Sequence, residues 1–283
     1  MSQPSFRFPA QILTDANGIQ ALCDFYNTAS QCRNCWFTLD WESLEFFEAN
    51  LSALLLAMTH KLKYENKLEF FLDHTYLRGP MNIFWRNGLA FYIYKKAGKP
   101  DDIKKTTIPV KAFQISDVDK FANYIEQDLL EHQGVDNLRF HDRQRVLDSY
   151  FEIFSNVQLH AKTNYPVLAC GQFFPNQKEV KFSLVDMGVG FLHNISPFTK
   201  NSDNPILTPE KAIKWALDGN STKIEAAGGT GLKRILSYCF KNNGSLHIVT
   251  DGCYWAYDNG QINTWKLKNY FAGTTISLIF RSL

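Results

Sequence analysis

The sequence predicts a mixed α/β protein built from two units. Segments rich in β-branched and aromatic residues alternate with segments in which apolar residues recur at helical spacing. The chain has 283 residues, which is long for one compact domain. We therefore predict two domains, at 1–105 and 106–283, and the charged stretch 95–105 as the linker between them.

The first predicted unit is a short α/β arrangement. Residues 35–41 and 67–72 have the composition of strands, and apolar residues recur at helical spacing between them, over 46–62. A further apolar segment follows at 84–94. The unit is therefore expected to alternate strand, helix and strand.

The second predicted unit has helices and strands in separate groups. Its predicted elements are two helices at 116–130 and 142–161, strands at 167–173 and 180–185, a short helix near 209–217, a helix from Gly231, and strands at 245–250 and 274–280. Apart from the short helix, the stretch 190–227 is expected to be irregular. This order predicts a sheet that helices cover on one face.

Composition and charge narrow the class of protein. The net charge of +2 gives no electrostatic reason to expect nucleic acid or an acidic membrane as partner. The sequence shows no secretory signal and no apolar run long enough to span a bilayer, so we expect a cytoplasmic protein with reduced cysteines. Cys32 and Cys35 form a CxxC pair, but the absence of a second pair favours an ordinary structural role.

A carboxylate and a carboxamide share one face of the predicted helix at 142–161. Glu152 and Asn156 are four residues apart, which places them one turn apart on the same side. An Asn oxygen can coordinate Mg²⁺, while a neighbouring Glu can orient or deprotonate a water molecule. The same spacing is also common on a solvated helix face, so the pair alone is not specific.

An aspartate followed by two glycines ends the predicted strand at 180–185. Asp186 at a strand end can accept a hydrogen bond from an exocyclic amine such as that of adenine. Gly188 and Gly190 remove side chains where a flat base would lie against the backbone. The alternative is a tight turn after a strand.

A glycine-rich segment leads into the helix that begins at Gly231. Gly229, Thr230, Gly231 and Leu232 stand at this helix N-terminus, where free N–H groups form an anion site that phosphates can approach. Lys233 puts a positive charge in the first turn, which the helix dipole disfavours and which a bound phosphate would relieve. The spacing is neither that of a Walker loop nor that of a Rossmann turn.

Two hydroxyls and a cation lie just upstream of this segment. Ser221, Thr222 and Lys223 are expected on a loop that can close over phosphates.

Taken in order, these segments resemble the ATP-binding domain of the GHKL superfamily, which includes gyrase B, heat-shock chaperones, histidine kinases and mismatch-repair proteins. The resemblance covers about 110–283. It implies a two-layer α/β sandwich of the Bergerat type, with Glu152 as general base and Asn156 as Mg²⁺ ligand. It further implies that Asp186 and Thr274 lie at the adenine.

The sequence departs from this family at several points. Lys233 replaces a glycine of the phosphate-side motif, and the chain shows neither the phosphoacceptor histidine block of a sensor kinase nor a transducer domain. Histidine autokinase and topoisomerase are therefore poor interpretations. A serine/threonine kinase of the anti-sigma-factor type and an interaction module with a vestigial pocket remain alternatives.

The first hundred residues resemble, more weakly, the STAS domain of anti-anti-sigma factors. The resemblance depends on the order strand, helix, strand and on the WRNGLA segment that follows. It implies a docking module, but residues 48–50 carry no hydroxyl at the family's phosphorylated position, and Ser52 lies one turn further on.

Together these features predict a cytoplasmic regulator that binds ATP and Mg²⁺. Its expected partners are ATP and another protein, with a homodimer as a further candidate and with neither nucleic acid nor membrane. Slow ATP hydrolysis or phosphotransfer through Glu152 is the enzymatic variant of this hypothesis.

Overall fold

The computed structural model describes residues 3–96, 98, 101–135, 138–222 and 230–281. It confirms a mixed α/β protein with a large antiparallel sheet. No helix in these ranges combines the length and the apolar character that crossing a bilayer requires.

The strands fall into one large sheet and two small ones. In chain order they are β1 (Ser5–Arg7), β2 (Gln11–Ile12), β3 (Trp36–Asp40), β4 (Phe46–Phe47), β5 (Glu69–Phe71), β6 (Thr107–Phe113), β7 (Val167–Phe174), β8 (Glu179–Asp186), β9 (Ser245–Thr250), β10 (Cys253–Asp258), β11 (Gln261–Lys266) and β12 (Thr274–Arg281).

The α-helices range from single turns to a helix of 21 residues. They are α1 (Ala16–Ser30), α2 (Ser52–Asn66), α3 (Ile83–Arg86), α4 (Leu89–Ile93), α5 (Val118–Tyr124), α6 (Phe140–His160), α7 (Leu192–Thr199), α8 (Pro209–Leu217) and α9 (Gly231–Lys241). A π-helical turn, Ile125–Leu130, continues α5.

The large sheet has seven strands in the order β11-β10-β9-β12-β8-β7-β6. Every neighbouring pair is antiparallel. Side chains therefore alternate between two faces along each strand. On β8, Phe182 and Leu184 face a core built with α5, α6 and α9, whereas Val185 belongs to the core on the opposite face.

One face of this sheet is covered by helices, as predicted. Tyr150 of α6 packs edge-on against Phe182, with ring centroids 5.2 Å apart, and Phe121 of α5 stacks on Phe154 of α6 at 4.4 Å. α9 lies beside α6 and contributes the buried Ile235 to the same core.

The opposite face is covered by the N-terminal part of the chain, which the sequence did not predict. α2 and the 3₁₀ turn before it, Ala49–Leu51, pack against β7 and β8. The first half of α2, residues 52–59, is buried on all sides, as expected for a helix segment that lies between two layers. One apolar core therefore extends from Phe8 to Tyr254 and crosses the predicted domain boundary. The boundary itself stays a prediction.

The N-terminal part also contains the two small parallel sheets. Their orders are β1-β3-β5 and β2-β4. α1 packs on α2, β1 and β2. This is an α/β arrangement as expected, while the finer STAS-like assignment remains a prediction.

Two predicted elements differ from the structure in an informative way. The helix expected over 46–62 begins only at Ser52, because Phe46 and Phe47 form β4 and pair with Gln11 and Ile12. Within the expected linker at 95–105, Asp102 is held by Arg86 Nη1 at 2.7 Å and by the N–H of Thr107 at 2.7 Å.

Several elements were missed altogether. They are α1, α7, β1, β2, β6, β10 and β11. Two of them carry a proline, Pro109 in β6 and Pro197 in α7, which argues against a regular element at the sequence level. The stretch expected to be irregular at 190–227 therefore contains two helices in its described part.

Candidate functional site

A cleft opens between α6, the α7–α8 pair and the ends of β8 and β12. Its cavity volume is about 120 Å³, and the empty space is about 900 Å³ when the open mouth is included. The predicted site residues that line it are Asn156, Asp186, Gly190, Ser221, Thr222, Leu232 and Thr274. Residues that are far apart in the sequence therefore meet in one place.

Asp186 lies at the base of the cleft. It is the last residue of β8, and its Cα pairs in register with that of Thr274, the first residue of β12. Its Oδ1 accepts a hydrogen bond from the N–H of Gly188 at 2.8 Å. Asp186 makes no ion pair within the described part of the chain.

The environment of Asp186 disfavours its negative charge. Burial raises the pKa of the Asp186 carboxyl to about 6, although the hydrogen bonds from Gly188 and Thr274 act in the opposite direction. The charge of Lys61 also lowers this pKa, and the charge of Asp251 raises it. A buried carboxylate with an elevated pKa in a cleft is typical of a functional group.

The two glycines after Asp186 lie too close to neighbouring residues to carry a side chain. A Cβ atom at Gly188 would overlap the carbonyl oxygen of Ala161 at the end of α6. Gly190 has a φ of +78°, and a Cβ atom there would overlap the carboxylate of Asp251. Of the two, only Gly190 lines the cleft, whereas Gly188 packs against Ala161.

Asn156 lies on the α6 wall of the cleft. Its neighbours on that wall are Ile153 and Val157, and Trp215 of α8 and Ile195 of α7 also line the cleft. The walls are therefore mostly apolar, with a few polar groups at defined places, as in many sites for flat organic ligands.

Glu152 does not line the cleft in this arrangement. Its Oε1 accepts from the N–H of Thr230 at 2.6 Å, and its Oε2 accepts from the Thr230 hydroxyl at 2.9 Å. The carboxylate thus binds the residue that precedes α9, where a negative charge is also favoured by the helix dipole. To act as a base in the cleft, the Glu152 carboxylate would have to turn from Thr230 toward the cleft.

The start of α9 packs tightly on α6. A Cβ atom at Gly231 would lie 3.0 Å from the Cβ of Glu152 and 3.1 Å from the carbonyl oxygen of Ser149. Gly231 therefore permits close helix packing, in addition to any role near phosphates. Leu232, the next residue, lines the cleft.

Lys233 has a partner within the chain, which weakens the earlier argument for a phosphate at this position. Its Nζ donates to the carbonyl oxygen of Asp218 at 3.2 Å, at the C-terminal end of α8. A cation is favoured at a helix C-terminus, so the Lys233 charge is accounted for without an anion.

The phosphate side of the predicted site is only partly described. Ser221 and Thr222 line the cleft. Lys223 and Gly229 lie outside the described residues.

Several cleft residues were not among the predicted ones. Besides the apolar residues already named, they include Phe191, Asn194, Asn220 and His160. Their signal in the sequence was weak, because α7 carries Pro197 and the helical pattern at 209–217 does not show which side faces the sheet. Asp251 was also missed; its Oδ2 accepts from the N–H of Leu192 at 2.9 Å and so holds the start of α7.

The residues present fit an adenine nucleotide better than a protein-bound metal. A carboxylate has about four lone-pair sites, and Gly188 and Thr274 use two of those of Asp186, so it can accept from a ligand amine. No group of three or more His, Cys, Asp or Glu side chains in the described ranges could hold a metal ion alone.

Comparisons with known proteins do not assign the chain to a family. No family model matches the chain, and no curated protein matches it. Its function is therefore inferred from the cleft itself.

Proposed function

We propose that the protein binds ATP with Mg²⁺ in this cleft and that the bound nucleotide regulates the docking of a partner protein. The proposal includes a GHKL-like ATP-binding unit at 106–283 and a STAS-like docking unit at 1–105. The packing of the N-terminal part on the opposite face of the same sheet supports the proposed regulation of a partner.

The observation that carries this proposal is the buried carboxylate at the base of an apolar cleft. Asp186 forms no ion pair in the described part of the chain, and it shares the cleft with the apolar side chains of Val157 and Trp215. A donor from the ligand would stabilise the charge that burial disfavours. The 6-amino group of adenine is such a donor, whereas guanine presents a carbonyl oxygen there and would be repelled.

The polar end of the cleft supports the phosphate end of the nucleotide. Asn156, Ser221 and Thr222 line this cleft. The Asn156 oxygen would hold Mg²⁺, whose charge offsets that of the phosphates, and the two hydroxyls would donate to phosphate oxygens.

The contacts of Glu152 favour binding over rapid turnover. Both of its carboxylate oxygens accept from Thr230 and the side chain does not line the cleft, so the base implied by the GHKL resemblance is directed at Thr230 rather than at the cleft. We therefore propose that hydrolysis, or transfer of phosphate to a protein hydroxyl, is slow and that nucleotide binding is the main event.

Isothermal titration with ATP and GTP in the presence of Mg²⁺ tests the proposal. We expect saturable binding of ATP and at least about tenfold weaker binding of GTP, because a carboxylate paired with a carbonyl leaves a buried acceptor unsatisfied. Absence of ATP binding to protein with a native circular dichroism spectrum would sink the proposal.

A further inference from the structure

The two edges of the seven-stranded sheet differ in their exposure. β11, at one edge, is exposed along all six of its residues. Ile262 is 56% and Trp265 44% exposed, on opposite faces of the strand. Lys266 at its end is its only charged residue. A regular, exposed edge strand with little charge is a template for pairing with another strand.

The other edge is protected by several devices. β6 contains Pro109 and an irregularity in its pairing with β7 between Ile108 and Lys111. The N–H of Val110 donates to the carbonyl of Asn87 at 2.7 Å, and the carbonyl of Pro109 accepts from the Tyr124 hydroxyl at 2.8 Å. Proline, bulges and covered backbone groups are the means by which edges avoid pairing. β11 carries neither proline nor bulge.

The register of the β10–β11 hairpin shows which backbone groups of β11 face outward. The N–H of Leu267 donates to the carbonyl of Gly252 at 2.8 Å, so these residues form a hydrogen-bonded pair. Such pairs alternate with non-hydrogen-bonded pairs along an antiparallel ladder. The residues of β11 that bond to β10 are therefore Gln261, Asn263 and Trp265.

The remaining residues of β11 direct their N–H and C=O groups toward the free edge. They are Ile262, Thr264 and Lys266. The turn gives the same assignment of bonded and outward residues. Asn259 and Gly260 both have positive φ and form a two-residue hairpin loop, which Asp258 and Gln261 close as a hydrogen-bonded pair. Within the described part of the chain no hydrogen bond reaches these outward backbone groups.

We propose that two copies of this chain pair through β11 in an antiparallel, two-fold symmetric ladder centred on Thr264. With Thr264 opposite Thr264 of the second copy, Ile262 lies opposite Lys266 and Lys266 opposite Ile262. This register uses all three outward residues of each copy, so all the outward N–H and C=O groups of both strands are paired. If the two-fold axis moved by one residue, to Asn263 or Trp265, one of the three outward residues of each copy would have no partner within β11.

The side chains of β11 suit a second copy of the same strand. At the symmetry axis two threonines meet, which is a favourable cross-strand pair. The aliphatic stem of Lys266 lies against Ile262 of the second copy while its ammonium group stays in water. The two Lys266 charges are separated by about 14 Å along the strands, beyond the screening length of about 8 Å at physiological salt.

The mass of the full chain in solution tests the interface. Sedimentation velocity of the wild type over a range of concentrations is expected to show a species of twice the chain mass of 32.5 kDa. Thr264→Pro removes an outward N–H without removing a β10–β11 bond, so the species should revert to a single chain mass. Thr264→Val, the matched control, keeps the backbone donor and should remain dimeric.

A second variant guards against local unfolding by the proline. Thr264→Asp changes an exposed side chain, so the fold should be retained. It places two like charges directly opposite each other at the axis, beside the Glu210 carboxylate that accepts from the Thr264 hydroxyl at 3.5 Å, and should also give the single-chain mass. A monomeric wild type at all concentrations would overturn the proposal, and so would a dimer that both variants leave intact.

Cross-linking tests the register separately. Thr264→Cys places two thiols opposite each other at a Cα separation compatible with a disulfide, so mild oxidation with oxidised glutathione should give a covalent dimer. Gln261→Cys, which has no symmetric partner in this register, should not. Cross-linking of Gln261→Cys at the rate of Thr264→Cys would contradict the proposed register, and the wild type controls for the native cysteines.

Discussion

Each face of the seven-stranded sheet buries a carboxylate, but only one of the two carboxylates forms an ion pair within the described part of the chain. On the face covered by α2, Glu48 is 6% exposed, and its Oε1 pairs with Lys181 Nζ at 2.6 Å while its Oε2 accepts from the N–H of Thr14 at 2.8 Å. On the helix-covered face, Asp186 is similarly buried and accepts hydrogen bonds, but within the described part of the chain it forms no ion pair, and the charge of Lys61 acts on it only from a distance. Both carboxylates lie against the same sheet.

This difference separates a structural charge from a functional one. A buried charge that is paired within the chain contributes to holding two layers in register, because its partners lie on both of them. A buried charge that is not paired costs stability, and proteins retain such groups where a ligand uses them. The following predictions test whether the two faces differ in this way.

The largest effect is expected on the sheet face that α2 covers. Lys181→Met leaves the buried Glu48 carboxylate without a counter-charge and should lower the free energy of unfolding by about 3 kcal/mol, measured by urea denaturation. The double variant Glu48→Gln/Lys181→Met should recover most of this loss. Lys63→Met, at the exposed pair with Glu69, is the control and should change stability by less than about 1 kcal/mol. Equal losses of stability in Lys181→Met and Lys63→Met would show that the buried pair is no more important for the fold than the exposed one.

The same experiment should give the opposite sign in the cleft. Burial raises the pKa of Asp186 from 3.8 to about 6, so the ionised side chain destabilises the fold at neutral pH. Asp186→Asn should therefore raise the free energy of unfolding there by about 1–3 kcal/mol. Because a raised pKa contributes stability below its unfolded value and loses it as pH rises through the folded value, the two proteins should become equally stable near pH 4. A destabilising effect at neutral pH would show that the Asp186 charge is structural.

Nucleotide affinity should depend on the protonation of Asp186. A ligand amine donates to the ionised carboxylate, so ATP affinity should be highest above pH 6 and fall as pH falls through 6, by up to about tenfold per pH unit. Phosphate groups titrate in the same range, so Asp186→Asn measured in parallel provides the baseline. Identical pH profiles for the two proteins would exclude Asp186 from the binding site.

The smallest effect is expected at Glu152. Glu152→Gln keeps an acceptor for the N–H of Thr230, so stability should fall by less than about 1 kcal/mol and ATP affinity should be nearly unchanged. Slow hydrolysis, measured as phosphate release, should be lost in both Glu152→Gln and Glu152→Ala. Turnover that persists in these variants would remove Glu152 from the mechanism.

Elements with a strong local signal could be predicted from the sequence. α8 and β9 have the predicted bounds, 209–217 and 245–250, because a proline at the first helical turn and a run of β-favouring residues are local features. β4 could not be predicted, since its pairing with Gln11 and Ile12 joins residues far apart in the chain. The β10–β11 hairpin did have a local signal, Asn259–Gly260, that was not used.

The polar residues of the site were easier to predict than its walls. Asn156, Asp186 and Thr274 stand out because polar residues at these positions suit one chemistry, and the structure brings all three into one cleft. The walls depend on how α7 and α8 pack against α6, which periodicity does not show. The partners of Glu152 and Lys233 are likewise tertiary contacts, with Thr230 and Asp218.

The central claim is that the cleft binds an adenine nucleotide through Asp186. Isothermal titration of wild type and Asp186→Asn with ATP and Mg²⁺, side by side above pH 6, tests it most directly. Loss of a hydrogen bond to a charged group costs about 2 kcal/mol, so the variant should bind ATP about 30-fold more weakly while being at least as stable. Equal affinity in the two proteins, or no binding by a folded wild type, would contradict the claim.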